Sequence, residues 1–296
     1  MKYQKWINKH LTDLSGKRVI VTGGNSGIGF EAARGFLSLG ATLTLACRSK
    51  ARADAALTRL RAEFPSGDVT ALPLDLAELA SIDAFCALLN GQQAKIDIVL
   101  HCAGVYYPNT PTTKDGFPTT CGVNFLGTAY LAERLLPFMT NEGKMIFTTS
   151  LVDRFGKEKV ATGHEKEGYA AYARSKHLLS ALCLRLSQMR NGSMPSFIAT
   201  HPGITATDLL SPTKTTHKPL FSRLGHAFLY LFTHSPEKAA LTALFATVSE
   251  NGDCIGPRGL FGISGYPRKT AFCRRVRRRA EKPLPLSREL FSLLCH

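Results

Sequence analysis

The sequence predicts an α/β protein built on a single doubly wound parallel sheet of about seven strands, with helices on both faces. Three observations carry that reading. Apolar, β-branched runs alternate with helical stretches at a period of about 25 to 30 residues. A glycine-rich turn follows the first run, and 296 residues with 44% hydrophobic content are enough to bury one large core.

Taken in order, Lys17–Thr22 (KRVIVT) is strand-like and stops at glycines, and Ile28–Leu39 has helical spacing up to Gly40. Ala41–Cys47 reads as a strand, Ala51–Phe64 as a helix rich in Ala and Arg, and Val69–Leu74 as a strand again. Ile96–His101, Lys144–Thr149 and Ser196–Thr200 read as buried strands, with apolar helical stretches at Phe125–Met139 and Tyr172–Met189 between them. Parallel crossovers are right-handed, so helices cover both faces and the ligand crevice opens at the carboxyl ends of the strands. Pro236–Ser249 looks helical, and Arg258–Ile263 (RGLFGI) is expected to be the last strand. Residues 1–16 form a lead-in helix, 17–269 the domain and 270–296 a basic tail holding Arg274–Arg279. Within the domain, residues 208–235 lack a period and mix Pro212 and Pro219 with apolar aromatics, as a substrate-side flap would.

The chain carries 37 Lys and Arg against 22 Asp and Glu, a formal +15, which favours anionic partners without choosing among them. Eight scattered cysteines include no C-x-x-C pair and fit a reducing compartment. The N-terminus has no apolar core of a secretory signal, and Pro219–Thr233 is too short to span about 30 Å of bilayer. A soluble, cytoplasmic protein is expected. Peripheral membrane contact through Trp6, the flap and the basic tail stays open. No base-reading motif accompanies the basic run, which argues against a nucleic-acid partner.

Thr22, Gly23, Gly24, Asn25, Ser26, Gly27, Ile28 and Gly29 join the first strand to the first helix. Glycines there let the backbone bend sharply and approach a pyrophosphate, which the amides of the helix N-terminus then hold. After the second strand stands Cys47-Arg48, with Arg52 close behind and no carboxylate before Asp54. Guanidinium groups there suit a 2′-phosphate, so NADP(H) is preferred and NAD(H) is the alternative. Asp75, after the third strand, suits the adenine amino group or a helix cap equally well.

Tyr172 and Lys176 stand one turn apart on an apolar helix. A nearby Lys⁺ favours the phenolate, so Tyr172 can donate or accept a proton near neutral pH. Tyr169 has Ala173 rather than a lysine four residues on, which makes it the weaker choice. Ser150 ends the strand Phe147-Thr148-Thr149-Ser150, where its hydroxyl faces the crevice and reaches a substrate oxygen.

With Asp75-Leu76, Ala103-Gly104, Asn124 and His201-Pro202-Gly203 following in order, the chain resembles the short-chain dehydrogenase/reductase family of Rossmann-fold enzymes over Lys17–Ile263. The likeness is strongest to its retinol-dehydrogenase-like and orphan reductase branches. The resemblance implies a tetrad of Asn124, Ser150, Tyr172 and Lys176, with Asn124 holding a water relay to Lys176. It further implies cofactor contacts at Leu76, Ala103, Gly104, Tyr172, Lys176, Pro202, Gly203 and Thr205. Thr207 could contribute beside Thr205. His101-Cys102 replaces the family's usual Asn-Asn, which puts the local geometry there in question; the pair lacks the neighbours that would complete a metal site. The insert Leu151–Gly168 is expected beside the substrate mouth. Apolar residues of the flap (Leu209, Leu210, Leu220, Phe221, Leu224, Phe228) point to a hydrophobic alcohol or carbonyl substrate, and relatives suggest a homo-oligomer. The alternative function is a catalytically silent NADP(H) sensor or scaffold.

Overall fold

The computed structural model describes residues 2–91, 95–106, 112–156, 168–204 and 235–282. Its strands are β1 (Arg18–Thr22), β2 (Thr42–Cys47), β3 (Val69–Pro73), β4 (Ile96–His101), β5 (Met139–Thr148), β6 (Ser196–Thr200), β7 (Cys254–Pro257) and β8 (Pro267–Thr270). The helices are α1 (Gln4–His10), α2 (Gly27–Ser38), α3 (Lys50–Glu63), α4 (Leu79–Asn90), α5 (Thr119–Cys121), α6 (Thr128–Leu135), α7 (Tyr169–Met189), α8 (Pro236–Phe245) and α9 (Arg274–Ala280).

Side chains on a strand alternate between faces, and here both faces are apolar. Val19, Val21, Ile98, Leu100, Ile146 and Ile198 point into one core with Phe30 and Phe36 of α2, Leu60 of α3 and Leu241 of α8. Ile20, Val99, Met145, Phe147, Phe197 and Ala199 point into the other, with Phe85 of α4, Leu131 of α6 and Leu182 of α7. The sheet order is β3-β2-β1-β4-β5-β6-β7-β8, parallel except for the antiparallel edge pair β7 and β8. The order reverses between β1 and β4, which opens a crevice at their carboxyl ends.

Among the described residues the sheet has eight strands, slightly more than the seven or so expected. The expected strand at Arg258–Ile263 is instead a turn containing the 3₁₀ segment Leu260–Gly262, with Phe261 at φ +52° and Gly262 at φ +71°. Two short strands flank it, and their pairing with β6 and with each other imposes extended backbone on Gly256, Pro257 and Pro267. The helix expected over Phe125–Met139 begins earlier and ends sooner. It passes from α5 through a π-helical stretch, Gly122–Gly127, into α6, and a 3₁₀ turn at Leu136–Phe138 hands Met139 to β5. The helix expected through Ser249 leaves α form at Phe245. The basic run forms α9, which lays Val276, Arg279 and Ala280 inward and packs on α7. Residues 208–234 of the flap, the 157–167 part of the insert, Thr205 and Thr207 lie outside the described residues. No described helix is long and apolar enough to cross a membrane.

Candidate functional site

The candidate residues gather along the carboxyl edge of the sheet. β1 ends at Thr22, whose hydroxyl oxygen accepts the backbone N–H groups of Cys102 and Ala103, both at 3.0 Å. These two bonds tie the end of β1 to the end of β4, so His101-Cys102 leaves the backbone there well anchored. The chain then turns at Gly23, φ +68°. At Gly29 a Cβ would stand 2.5 Å from the Gly23 carbonyl oxygen, so only glycine lets α2 start this close to the turn. Ser26 at the N-cap is extended and makes no side-chain cap bond, and Gly27 takes φ +54° as the helix begins. The backbones of Gly24 and Asn25 hydrogen-bond the Cys47 thiol, and Ile28 packs into the α2 core. The turn is therefore a backbone cradle with an uncapped helix terminus behind it, which is the form a pyrophosphate site takes.

Arg48 follows β2 and Arg52 sits in the first turn of α3; both are exposed. Lys50 is engaged by Asp54 at 2.7 Å, and no ion pair joins Arg48 or Arg52 to a carboxylate among the described residues. Asp75 uses Oδ1 to accept the amide of Ala77 at 2.9 Å, while its own amide donates to Ser81 Oγ at 2.9 Å. It thus caps the turn after β3, beside buried Leu76.

Asn124 sits in the π-helical stretch, where one extra residue per turn aims the side chain inward. Its Oδ1 accepts the amide of Val105 at 2.7 Å, and its Nδ2 donates to the Val105 carbonyl at 2.9 Å and to Ser175 Oγ at 3.1 Å. Asn124 therefore locks the loop after Gly104 onto α7. A Cβ on Gly104 would lie 3.3 Å from Asn124 Oδ1 and 3.6 Å from Lys176 Nζ, so the smallest residue stands between them.

On α7, Lys176 is buried and donates from Nζ to the Thr148 carbonyl at 2.8 Å; burial pulls its pKa down to about 8. The ammonium lies 5.9 Å from the centre of the Tyr172 ring. Burial pushes the Tyr172 phenol up to about 12, opposed by a hydrogen bond from Ser150. The chain by itself therefore keeps Tyr172 protonated. Ser150 caps the 3₁₀ turn Leu151–Phe155. Tyr169, half exposed at the start of α7, lies apart from this group.

Sequence reasoning missed two neighbours. The Tyr106 ring meets Tyr172 edge-on at 5.1 Å, and the partly buried Cys102 thiol lies close enough to Lys176 and Tyr172 to perturb both. Tyr106 was detectable as the first aromatic after Ala103-Gly104; Cys102 had no signal beyond its departure from asparagine. His101 turns away from the crevice and stacks on Phe147 at 4.7 Å. Burial drives its pKa down to about 3, so it is a neutral core side chain. After β6, Gly203 takes φ +77° behind Pro202, while His201 seats its imidazole over Gly256 and Gly262.

A phenol, a hydroxyl and an ammonium thus converge beside a backbone cradle. Such an arrangement can bind a dinucleotide and move a proton at its reactive end.

Comparison with known proteins points the same way. The family model described as short chain dehydrogenase matches residues 17–218. Human retinol dehydrogenase 13 is 35% identical over 245 residues, covering 80% of this chain and 73% of that one. A solved Mycobacterium paratuberculosis protein superposes with a TM-score of 0.73 at 25% identity, covering 96% of each chain. A short chain dehydrogenase from Shigella flexneri complexed with NADP gives a TM-score of 0.63 at 21% identity, covering 81% of this chain and 96% of that one.

Proposed function

We propose, from the premise that the chain belongs to the short-chain dehydrogenase family, that this oxidoreductase exchanges a hydride between NADP(H) and a hydrophobic alcohol or carbonyl compound. The observation that carries the reading is the buried Lys176 ammonium 5.9 Å from the Tyr172 ring, one turn along the same helix, with the Ser150 hydroxyl near enough to favour the phenolate.

The residues present fit a dinucleotide: the cradle at Gly23 and Gly29 has no room for side chains, and no side-chain cap competes for the first amides of α2. Gly23 to Gly29 would hold the pyrophosphate, and Asp75 and Leu76 would border the adenine. Ala103, Gly104, Pro202 and Gly203 would border the nicotinamide half. When bound, the nicotinamide supplies or accepts the hydride.

The chain's own residues handle the proton. A phenol held near 12 is a protonated donor across the neutral range, ready to deliver its proton to a carbonyl oxygen as carbon is reduced. Ser150 hydrogen-bonds the same oxygen region and stabilises the phenolate that is left. Lys176, whose pKa of about 8 lies near neutrality, supplies positive charge beside that phenolate while it is protonated. In the oxidative direction the same phenolate takes the alcohol proton. Asn124 keeps the loop and α7 in register.

Preference for NADP(H) rests on Arg48 and Arg52, exposed cations free of carboxylate partners among the described residues, and on the likeness to a structure complexed with NADP. A lipophilic alcohol or aldehyde of the retinoid kind is the substrate class suggested by the relative named for retinol.

The test is NADPH and NADH oxidation by purified protein with a panel of apolar aldehydes and ketones. Tyr172→Phe should lower kcat by about 100- to 10,000-fold, the range of lost general acid catalysis, and leave NADPH affinity intact. Cofactor binding without any turnover by the unaltered protein would favour a sensor instead.

A further inference from the structure

The turn that carries Ser150 is fastened at its far end to the helix that carries Tyr172. Asp153, one residue past the Val152 amide that Ser150 caps with Oγ, lies against α7. Its carboxylate oxygen Oδ2 accepts the hydroxyl of Ser180 at 2.7 Å. Its carbonyl meets His177 Nδ1 at 2.9 Å; a carbonyl can only accept, so Nδ1 carries the proton. Ser180 and His177 are fully buried. At Gly156, where the turn leaves, a Cβ would stand 2.3 Å from His177 Cβ and 2.6 Å from the Ala173 carbonyl. The backbone therefore crosses α7 in direct contact. From outside, α9 packs on the same turn, and Arg275 Nη1 reaches the Arg154 carbonyl at 3.5 Å.

Resting on the function proposed above, we propose that Asp153, gripped by Ser180 and His177, is a positioning residue that holds Ser150 beside Tyr172. One helix then presents the phenol, the ammonium and the anchor for the hydroxyl. Tyr172, Lys176, Ser180 and Cys183 recur at three- and four-residue intervals, so they follow one stripe of α7. Even partial burial of a carboxylate costs free energy unless hydrogen bonds compensate, and the fully buried Ser180 supplies one here. Because Ser150 favours the phenolate, loosening it should move the ionisation of Tyr172 upward. The other groups facing Tyr172 are Lys176 on its own helix, and Tyr106 and Cys102 from the segment after β4. Those facing Asp153 are Arg154 on the turn, Ser180 and His177 on α7, and Cys254 on β7.

The experiment compares Asp153→Ala, Ser180→Ala and the conservative Asp153→Asn, whose amide oxygen still accepts from Ser180. In full-length protein, the alanine variants should lower kcat about 10-fold with KM and NADPH affinity within twofold. They should also raise the midpoint governing phenolate formation in the pH profile of kcat, and Asp153→Asn should recover both. Melting temperature is recorded alongside, because a merely structural role would lower it without moving the midpoint. Folded alanine variants with unchanged kcat and midpoint overturn the proposal, as does an Asp153→Asn that fails to recover either. If Asp153→Ala does not fold, Ser180→Ala decides. A crystal structure of the Ser180→Ala protein reads the point without turnover: Ser150 displaced from Tyr172 supports the proposal, and an unmoved Ser150 overturns it. Tyr172→Phe separates the two levels. Retained turnover there refutes the catalytic reading itself, whereas its loss together with unshifted Asp153 and Ser180 variants refutes only the positioning role.

Discussion

Two turns on the same edge of the sheet, residues 22–29 after β1 and 150–156 after β5, are held in opposite ways. The first is shaped by missing side chains: Gly23 at φ +68° and Gly29 pressed against a carbonyl bring backbone to backbone. The second is shaped mainly by side-chain bonds, from the Val152 amide to Ser150 and from Ser180 to Asp153. A cradle of amides recognises any pyrophosphate, so it needs no particular side chains. A turn that places one hydroxyl against one phenol must be pinned from outside itself. The contrast makes the first turn intolerant of any added atom and the second sensitive to the loss of single hydrogen bonds.

The largest expected effect tests the first half of that contrast. Gly29→Ala puts a methyl group into a 2.5 Å gap to the Gly23 carbonyl, and backbone cannot swing aside as a side-chain tip can. Overpacking of this kind costs about 3 kcal/mol at the upper end of its range, equivalent to roughly a 100-fold loss of NADPH affinity if the turn itself yields. Titration by cofactor fluorescence checks it. Unchanged affinity would mean that the shape of the turn is not set by backbone contact.

A smaller effect is expected one strand away, where side chains rather than backbone would discriminate. Arg48→Ala, alone and combined with Arg52→Ala, should weaken NADPH binding by about 30-fold, or about 2 kcal/mol for charge-assisted hydrogen bonds. NADH binding should stay within about twofold, because the lost partner is the 2′-phosphate. Equal weakening of both cofactors would remove the basis for a preference and leave the arginines as general surface charge.

The same contrast explains what was legible in the sequence. Glycine spacing encodes the first turn locally, and Tyr172 with Lys176 is encoded by helical period, so both could be read from residue type and interval. Asp153 and Ser180 are 27 positions apart and look like ordinary polar residues until α7 is laid beside the turn. The strands β1, β4 and β6 were readable because both their faces are largely apolar, and β2 because leucines alternate with β-branched threonines. The short strands β7 and β8 were not. Residues such as Gly256, Pro257 and Pro267 disfavour extended pairing on their own, and only the neighbouring β6 makes it worthwhile. The run RGLFGI has the composition of a strand, yet Phe261 and Gly262 adopt positive φ, which no strand accommodates. The misplaced helix boundary near Asn124 has a related cause. The π-helical stretch shifts the period by one residue just where a side chain must face the site, so a search for 3.6-residue spacing begins too late.

The smallest effect concerns the seam between the two regions. His101 pairs in register with Thr22 of β1 on one side and Phe147 of β5 on the other, so it touches the root of both turns. It is buried and stacked on Phe147, and neither ring nitrogen has a hydrogen-bond partner among the described residues. Burial lowers its pKa from 6.5 to about 3. The unfolded chain therefore binds a proton more readily than the folded one, so the stability associated with neutral His101 is complete above about pH 6.5 and is lost progressively as pH falls toward 3. At pH 5.5, about one unit below the unfolded value, the loss is about 1.4 kcal/mol relative to pH 8. His101→Phe keeps the aromatic stack and removes the titration. Denaturant unfolding at the two pH values should show the variant losing about 1.4 kcal/mol less than the unaltered protein, with His201 still contributing its own acid-dependent loss. Because the substitution leaves the Thr22 bonds to the Cys102 and Ala103 amides in place, NADPH affinity at pH 8 should be unchanged. An equal acid loss in both proteins would mean that the imidazole is hydrated or partnered when protonated. The seam would then be a polar joint between the two turns rather than a dry one.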